Sequence, residues 1–128
     1  MAERAPRADR LPDIVLAILR QRAEPLTGVQ LTELLRAEGQ AAPLSAVFRA
    51  IRRLVDRGLA RKIWIARAYV AVSAAAIIAL HCRRCGALCE VEGTGVHEAL
   101  DRLAAVRGFR AATAIVEVPG LCWRCRGR

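Results

Sequence analysis

Apolar positions recur every three or four residues through the first half of the chain, and past it come an apolar run from Tyr69 to Leu80 broken by Ser73 and a second stretch of helical spacing from Val96 to Val106. Between Asp9 and Gln21, Leu11, Ile14, Val15, Ile18 and Leu19 fall on one side of a helix, and Pro12 suits its first turn. Glu24-Pro25-Leu26 ends that helix. Thr27 is placed to cap a second one, with Gln30 in the capping-box position and Val29, Leu31, Leu34 and Leu35 as the buried face, up to a stop at Gly39. A third helix runs from Leu44 or Ser45 to Arg57, capped by Ser45 and closed by Gly58. Its stripe is Val47, Ile51, Leu54 and Val55; Arg49, Arg52, Arg53 and Arg57 lie off it. Residues 59–65 and 68–72 then read as strands joined at Ala66-Arg67.

Three helices followed by a β-hairpin describe a winged helix-turn-helix over residues 9–72, whose third helix would enter a major groove. Residues 1–8 form a basic, disordered arm. Past Val72 the pattern changes to an α+β unit over residues 73–128. Strands are expected at 77–82 and 87–91, a helix from Val96 to Val106 with Val96, Leu100, Leu103 and Val106 on one side, and a strand from Phe109 to Val118.

Two short stretches carry the chemistry of this second unit. Cys82-Arg83-Arg84-Cys85 and Cys122-Trp123-Arg124-Cys125 each place two thiols on one tight turn, and together they make the four-sulfur shell of a structural zinc, one per chain. The 36 residues between them must fold so that the pairs meet. A closed shell of four thiolates leaves no open position for a substrate. No Gly-rich phosphate loop, carboxylate pair or nucleophile beside a histidine supports an enzyme or a small-molecule substrate.

Charge sharpens the first unit. The formal net charge is +9, with 13 Lys+Arg against 7 Asp+Glu in residues 1–72 and 8 against 5 in the remainder. Such an excess suits a phosphate backbone or an acidic surface. Four arginines on a helix whose apolar stripe turns inward exceed what solubility requires. Arg49, in the first turns, is the candidate for a base or phosphate contact, and Ser45 can donate to a phosphate. Arg52, Arg53 and Arg57, with Arg61, Lys62 and Arg67 of the wing, act on phosphates. Trp64 reads as an anchor of the wing core rather than a base stacker. No apolar run approaches the ~20 residues that span a bilayer. With charged first residues and no signal sequence, a cytoplasmic location and metal-bound rather than disulfide-bonded cysteines are expected.

The layout resembles the ferric and zinc uptake regulator (Fur/Zur) family of bacterial transcriptional regulators over about residues 9–126. The likeness is carried by Pro25-Leu26-Thr27, by Leu44-Ser45-Ala46-Val47-Phe48-Arg49-Ala50-Ile51 with Leu54 and Gly58-Leu59, by Cys82-Arg83-Arg84-Cys85-Gly86, by Gly108-Phe109 and by Glu117-Val118-Pro119-Gly120-Leu121-Cys122-Trp123-Arg124-Cys125. The cysteine segments are closer to the zinc-uptake branch. The resemblance implies a homodimeric, metal-responsive repressor of metal-uptake genes that binds double-stranded operator DNA, with a dimerisation domain and the structural zinc on Cys82, Cys85, Cys122 and Cys125. Phe48 stands where the family commonly has Tyr; it keeps contact with a thymine methyl and loses a hydroxyl.

The resemblance also implies a second, regulatory zinc or iron site, and here the chain departs from the family. Where histidines usually precede the first CxxC stand Ala75, Ala76, Ile77, Ile78 and Ala79, with Val72 and Arg61 further back; only Glu90 matches an expected ligand. A rebuilt site has Glu90, His81, Cys89 and His97 to draw on, Cys89 and His97 converging across the Gly93 turn. The plainer reading makes His81 a half-buried strand residue, His97 a solvated one and Cys89 a small core residue. Two rivals follow: a family member that binds DNA constitutively or senses another signal, and a zinc-stapled module that binds an acidic protein partner.

Overall fold

The computed structural model describes residues 9–22, 24–72, 77–111 and 116–127. The expected basic arm at 1–8 and the residues from Ser73 to Ala76 lie outside the described residues. The chain divides into two compact units after Val72. No helix among the described residues is long and apolar enough to cross a membrane.

The first unit is built from α1 (Leu11–Gln21), α2 (Gly28–Ala37), α3 (Leu44–Asp56), β1 (Ala60–Ile63) and β2 (Ala68–Ala71). The capping box at the start of α2 is present in full. The Gln30 N–H donates to Thr27 Oγ1 at 3.1 Å and the Thr27 N–H donates to Gln30 Oε1 at 2.9 Å. Val15, Leu31, Leu35, Val47, Ile51 and Leu54 are almost wholly excluded from solvent and bind the three helices into one core. Burying a side chain of this size contributes about 1.5–3 kcal/mol. The unit therefore has a core of its own.

Two expectations for this unit change. Helix α3 starts at Leu44 with Pro43 as N-cap, and no side chain caps it. Pro43, at φ −67° and ψ 151°, already aims the chain into the helix, so Ser45 falls inside the first turn and is exposed. The hairpin is also shorter than the 59–65 and 68–72 strands expected. β1 and β2 pair antiparallel from Ala60↔Ala71 to Ile63↔Ala68, and residues 64–67 form the turn, closed by the Arg67 N–H donating to the Trp64 carbonyl. Arg67 takes a left-handed φ of 51°. Trp64 is thereby moved out of the strand and is 57% exposed, so it does not anchor the wing core. Leu26 adds a short third rung, exchanging backbone hydrogen bonds with Tyr69 at 3.0 and 2.8 Å. Gly58, at φ 72°, turns the chain from α3 into β1.

The second unit contains β3 (Ile77–Cys82), β4 (Leu88–Glu92), α4 (Thr94–Val106) and β5 (Val116–Gly120). The sheet order is β4-β3-β5, with β3–β4 antiparallel and β3–β5 parallel. The last strand was expected from Phe109 to Val118. Phe109 instead lies outside it and is exposed, and Pro119 and Gly120 belong to the strand. The shift follows from pairing: an edge strand tolerates Pro119, and the parallel register sets Gly120 beside Cys82. Helix α4 starts two residues before Val96, after Gly93, and the Glu92 carboxylate accepts from the Thr94 N–H. The Thr94 side chain, and after it that backbone bond, hold Glu92 below its ordinary carboxylate range. No residue of α4 is buried; Val96, Leu100, Leu103 and Val106 form an exposed apolar side.

Candidate metal centre and nucleic-acid interface

The metal centre is a product of strand pairing. Register Cys82↔Gly120 starts both CxxC turns from adjacent points of the sheet, and the Arg83 N–H donates to the Gly120 carbonyl at 2.9 Å. In the first turn the Gly86 N–H donates to the Cys82 carbonyl at 3.0 Å, and Gly86 itself has a φ of 80° that disfavours any side chain. In the second, the Cys125 and Arg126 N–H groups donate to the Cys122 carbonyl at 3.0 and 2.9 Å. Arg84 crosses between them, its Nη1 donating to the Cys125 carbonyl at 2.9 Å.

The four Sγ atoms lie within 4.8 Å of one another, with Cys85 and Cys122 3.8 Å apart. Four sulfurs about 2.3 Å from a common centre have tetrahedral edges of about 3.8 Å, so the geometry fits zinc. Cys82 and Cys125 are buried, Cys122 is half-buried and Cys85 is exposed. Backbone donors of Cys85 and Cys122 hold Cys82 down to about 5, and the backbone of Cys125 lowers Cys122. Cys125 is pushed up to about 12, first by its side-chain hydrogen bond to Cys122 and then by burial. At neutral pH it therefore carries a proton that a metal must displace. Zinc uptake is expected to release protons. Calorimetry in two buffers of different ionisation enthalpy checks this: equal heats would contradict it.

The second surface is the outer side of α3. Val47, Ala50, Ile51 and Leu54 are buried, which leaves Ser45, Phe48, Arg49, Arg52, Arg53 and Arg57 exposed. By helical spacing Ser45, Phe48, Arg49 and Arg52 share one face, while Arg53 and Arg57 trail along its side. Lys62 is half-buried in β1 and Arg67 is exposed in the turn. Arg61 differs from the expected phosphate contact, because its Nε and Nη2 atoms are enclosed by protein. Two contributors were not singled out in the sequence. A Cβ on Gly28 would lie 2.5 Å from Cζ of Phe48, so the opening of α2 must stay bare for the ring to rest there. Asp56 lines the same groove as Phe48, Arg49 and Arg52. A glycine opening a well-capped helix was the available signal for the first.

No family model matches the chain. Over 120 residues the chain is 32% identical to the zinc uptake regulation protein of Escherichia coli (strain K12), an alignment covering 87% of this chain and 68% of the relative. The chain belongs to the Fur/Zur family, in its zinc-uptake branch. Among solved structures it is similar to a zinc uptake regulator complexed with zinc and DNA, at 27% identity and a TM-score of 0.81, covering 91% of this chain and 81% of that one. Holo XcZur gives the same identity and TM-score, covering 98% of this chain and 91% of that one.

The remaining strand donors of this Fur/Zur protein are divided between the two faces of the sheet. Opposed residues of an antiparallel pair share a face, and neighbours along a strand alternate. Register His81↔Leu88 and Ala79↔Glu90 therefore puts His81 and Glu90 on one face of the sheet, whereas Leu80↔Cys89 puts Cys89 on the other. His97 is in the first turn of α4. The sheet separates Cys89 from Glu90 and His81, so the four do not gather. Among the described residues the four cysteines are the only group of three or more such donors close enough to share an ion. His81 is half-buried with Nδ1 enclosed, and Cys89 is exposed rather than part of a core.

Proposed function

We propose that this protein is a zinc-responsive, DNA-binding repressor of metal-uptake genes, acting as a cytoplasmic homodimer. The observation that carries the reading is the chain-long likeness to a zinc uptake regulation protein, together with an arginine-bearing α3 face left open to solvent. The first unit is the DNA-binding domain and the second the dimerisation domain. Zinc on Cys82, Cys85, Cys122 and Cys125 supplies the staple that this thin second core needs. The exposed apolar side of α4 is the surface a second copy covers.

On DNA, α3 enters the major groove, where Phe48 meets thymine methyls and Arg49 reads a guanine edge. Ser45, Arg52, Arg53, Arg57, Lys62 and Arg67 hold phosphates and set register. Gly28→Ala is expected to weaken binding roughly fivefold, on the order of 1 kcal/mol, by tilting Phe48, while the melting temperature is kept. A gel shift and a thermal melt on the same preparation check it.

A second reading, constitutive DNA binding, is favoured by the single closed donor cluster among the described residues. Metal counting by native mass spectrometry, paired with duplex binding before and after zinc is added beyond one equivalent, separates the two. Affinity that rises with a second equivalent supports the zinc-responsive repressor; affinity indifferent to it supports the constitutive one.

A further inference from the structure

The chain has five aromatic side chains in all, two Trp, one Tyr and two Phe. Three of them, Phe48, Trp64 and Tyr69, line one groove of about 490 Å³ between α3 and the hairpin. The same groove is lined by Arg49, Arg52 and Lys62, against the single carboxylate of Asp56. Trp64 opens the hairpin turn, and it and Ile65 beside it are both exposed. Lys62 Nζ stands 4.4 Å from the centre of the Trp64 indole, a cation–π contact that positions the ring. Single exposed apolar residues are ordinary. Aromatic rings concentrated in one open groove with three cations are not, in a chain so poor in aromatics.

We propose that Trp64 is a further DNA-contacting residue, and that the groove seats one strand of the duplex between α3 and the wing. This rests on the repressor reading above. Cations and aromatic faces lining one groove match a phosphodiester strand, with charge on the phosphates and flat apolar surface on the sugars and bases. Arg52 and Lys62 take adjacent phosphates, and the indole packs on the deoxyribose between them. Lys62 therefore has two functions: it neutralises a phosphate, and it holds Trp64 at the angle the strand requires. Asp56 opposes the same strand and moderates its affinity.

The two contacts differ in their salt signatures. A lysine on a phosphate adds about one unit to the salt slope, whereas an indole on a sugar adds affinity without counterion release. The experiment uses the full-length chain carrying Trp123→Phe, in which Trp64 is the only tryptophan, and a labelled duplex about three helical turns long. Trp64 emission is expected to change on duplex binding. Trp64→Ala is expected to weaken binding about tenfold with the slope unchanged. Trp64→Phe keeps most of the affinity, and Lys62→Met lowers the slope by ~1. Unchanged emission together with parental affinity in Trp64→Ala would overturn the proposal while the parent still binds duplex. A parent that binds no duplex overturns the repressor reading itself.

Discussion

Cys125→Ser is expected to release the zinc and unfold the second unit while the three-helix unit stays folded. Its thiol is buried and belongs to the four-sulfur cluster, so a serine there removes one ligand in four and leaves a shorter, harder donor enclosed. Structural zinc contributes about 10–16 kcal/mol of apparent binding energy in small zinc domains, comparable with or above the whole stability of a domain. Among the described residues of this unit only Ile78, Ala79, Cys82 and Cys125 are buried apolar ones, and none is a large aromatic. Such a core cannot hold three strands and a helix together. The first unit has Val15, Leu31, Leu35, Val47, Ile51 and Leu54 instead, and its melting is expected to be unaffected. Metal analysis, circular dichroism through a thermal ramp and sedimentation check this together. Zinc retained at parental stoichiometry with a single unchanged transition would refute it. Cys89→Ser is the matched control. Its thiol is exposed and outside the cluster, so zinc content and melting should match the parent.

The second large effect is expected at Arg49. Arg49→Ala should weaken operator binding by about 1–3 kcal/mol and relax base preference at one position of each half-site. Arg52→Ala, one turn further on, should weaken all sequences alike and lower the salt slope by ~1. Both side chains are exposed on the same face of α3, and neither helps to build the core, so neither variant should lose helix content. Binding measured at several salt concentrations on operator and scrambled duplexes separates them. Identical profiles for the two variants would show that Arg49, too, touches only phosphate.

The helices of the first unit were legible because each is marked locally. Thr27 and Gln30 cap α2 as their spacing requires, and Val47, Ile51 and Leu54 reach the core as their period requires. Helix α3 starts at Leu44, one of the two starts its pattern allows, but its cap is Pro43 and not Ser45: the hydroxyl lies inside the first turn and has no capping position to fill. Trp64 was misplaced because strand propensity does not register where a hairpin closes. Pairing of Ile63 with Ala68 closes it, and Trp64 is left in the turn.

The cysteine pairs and the need for them to meet were read from spacing, yet the way they meet was not. It depends on β5 lying parallel to β3 in the register that sets Gly120 beside Cys82, a long-range pairing that no local pattern records. The same sheet decides what happens to the spare donors. His81, Cys89, Glu90 and His97 look like a set along the sequence, but strand alternation sends Cys89 to the face opposite Glu90 and His81.

What the sequence determined by itself is local: helix positions, the two thiol turns, the arginines of α3 and the basic excess of residues 1–72. Capping, hydrophobic period and charge act over a few residues, and so they can be read there. Only the tertiary structure decided by which strand pairing the four sulfurs meet, which donors stay apart and which aromatic rings gather beside α3. Those outcomes rest on strand register and on close approaches such as Phe48 over Gly28, which arise between segments distant in the chain.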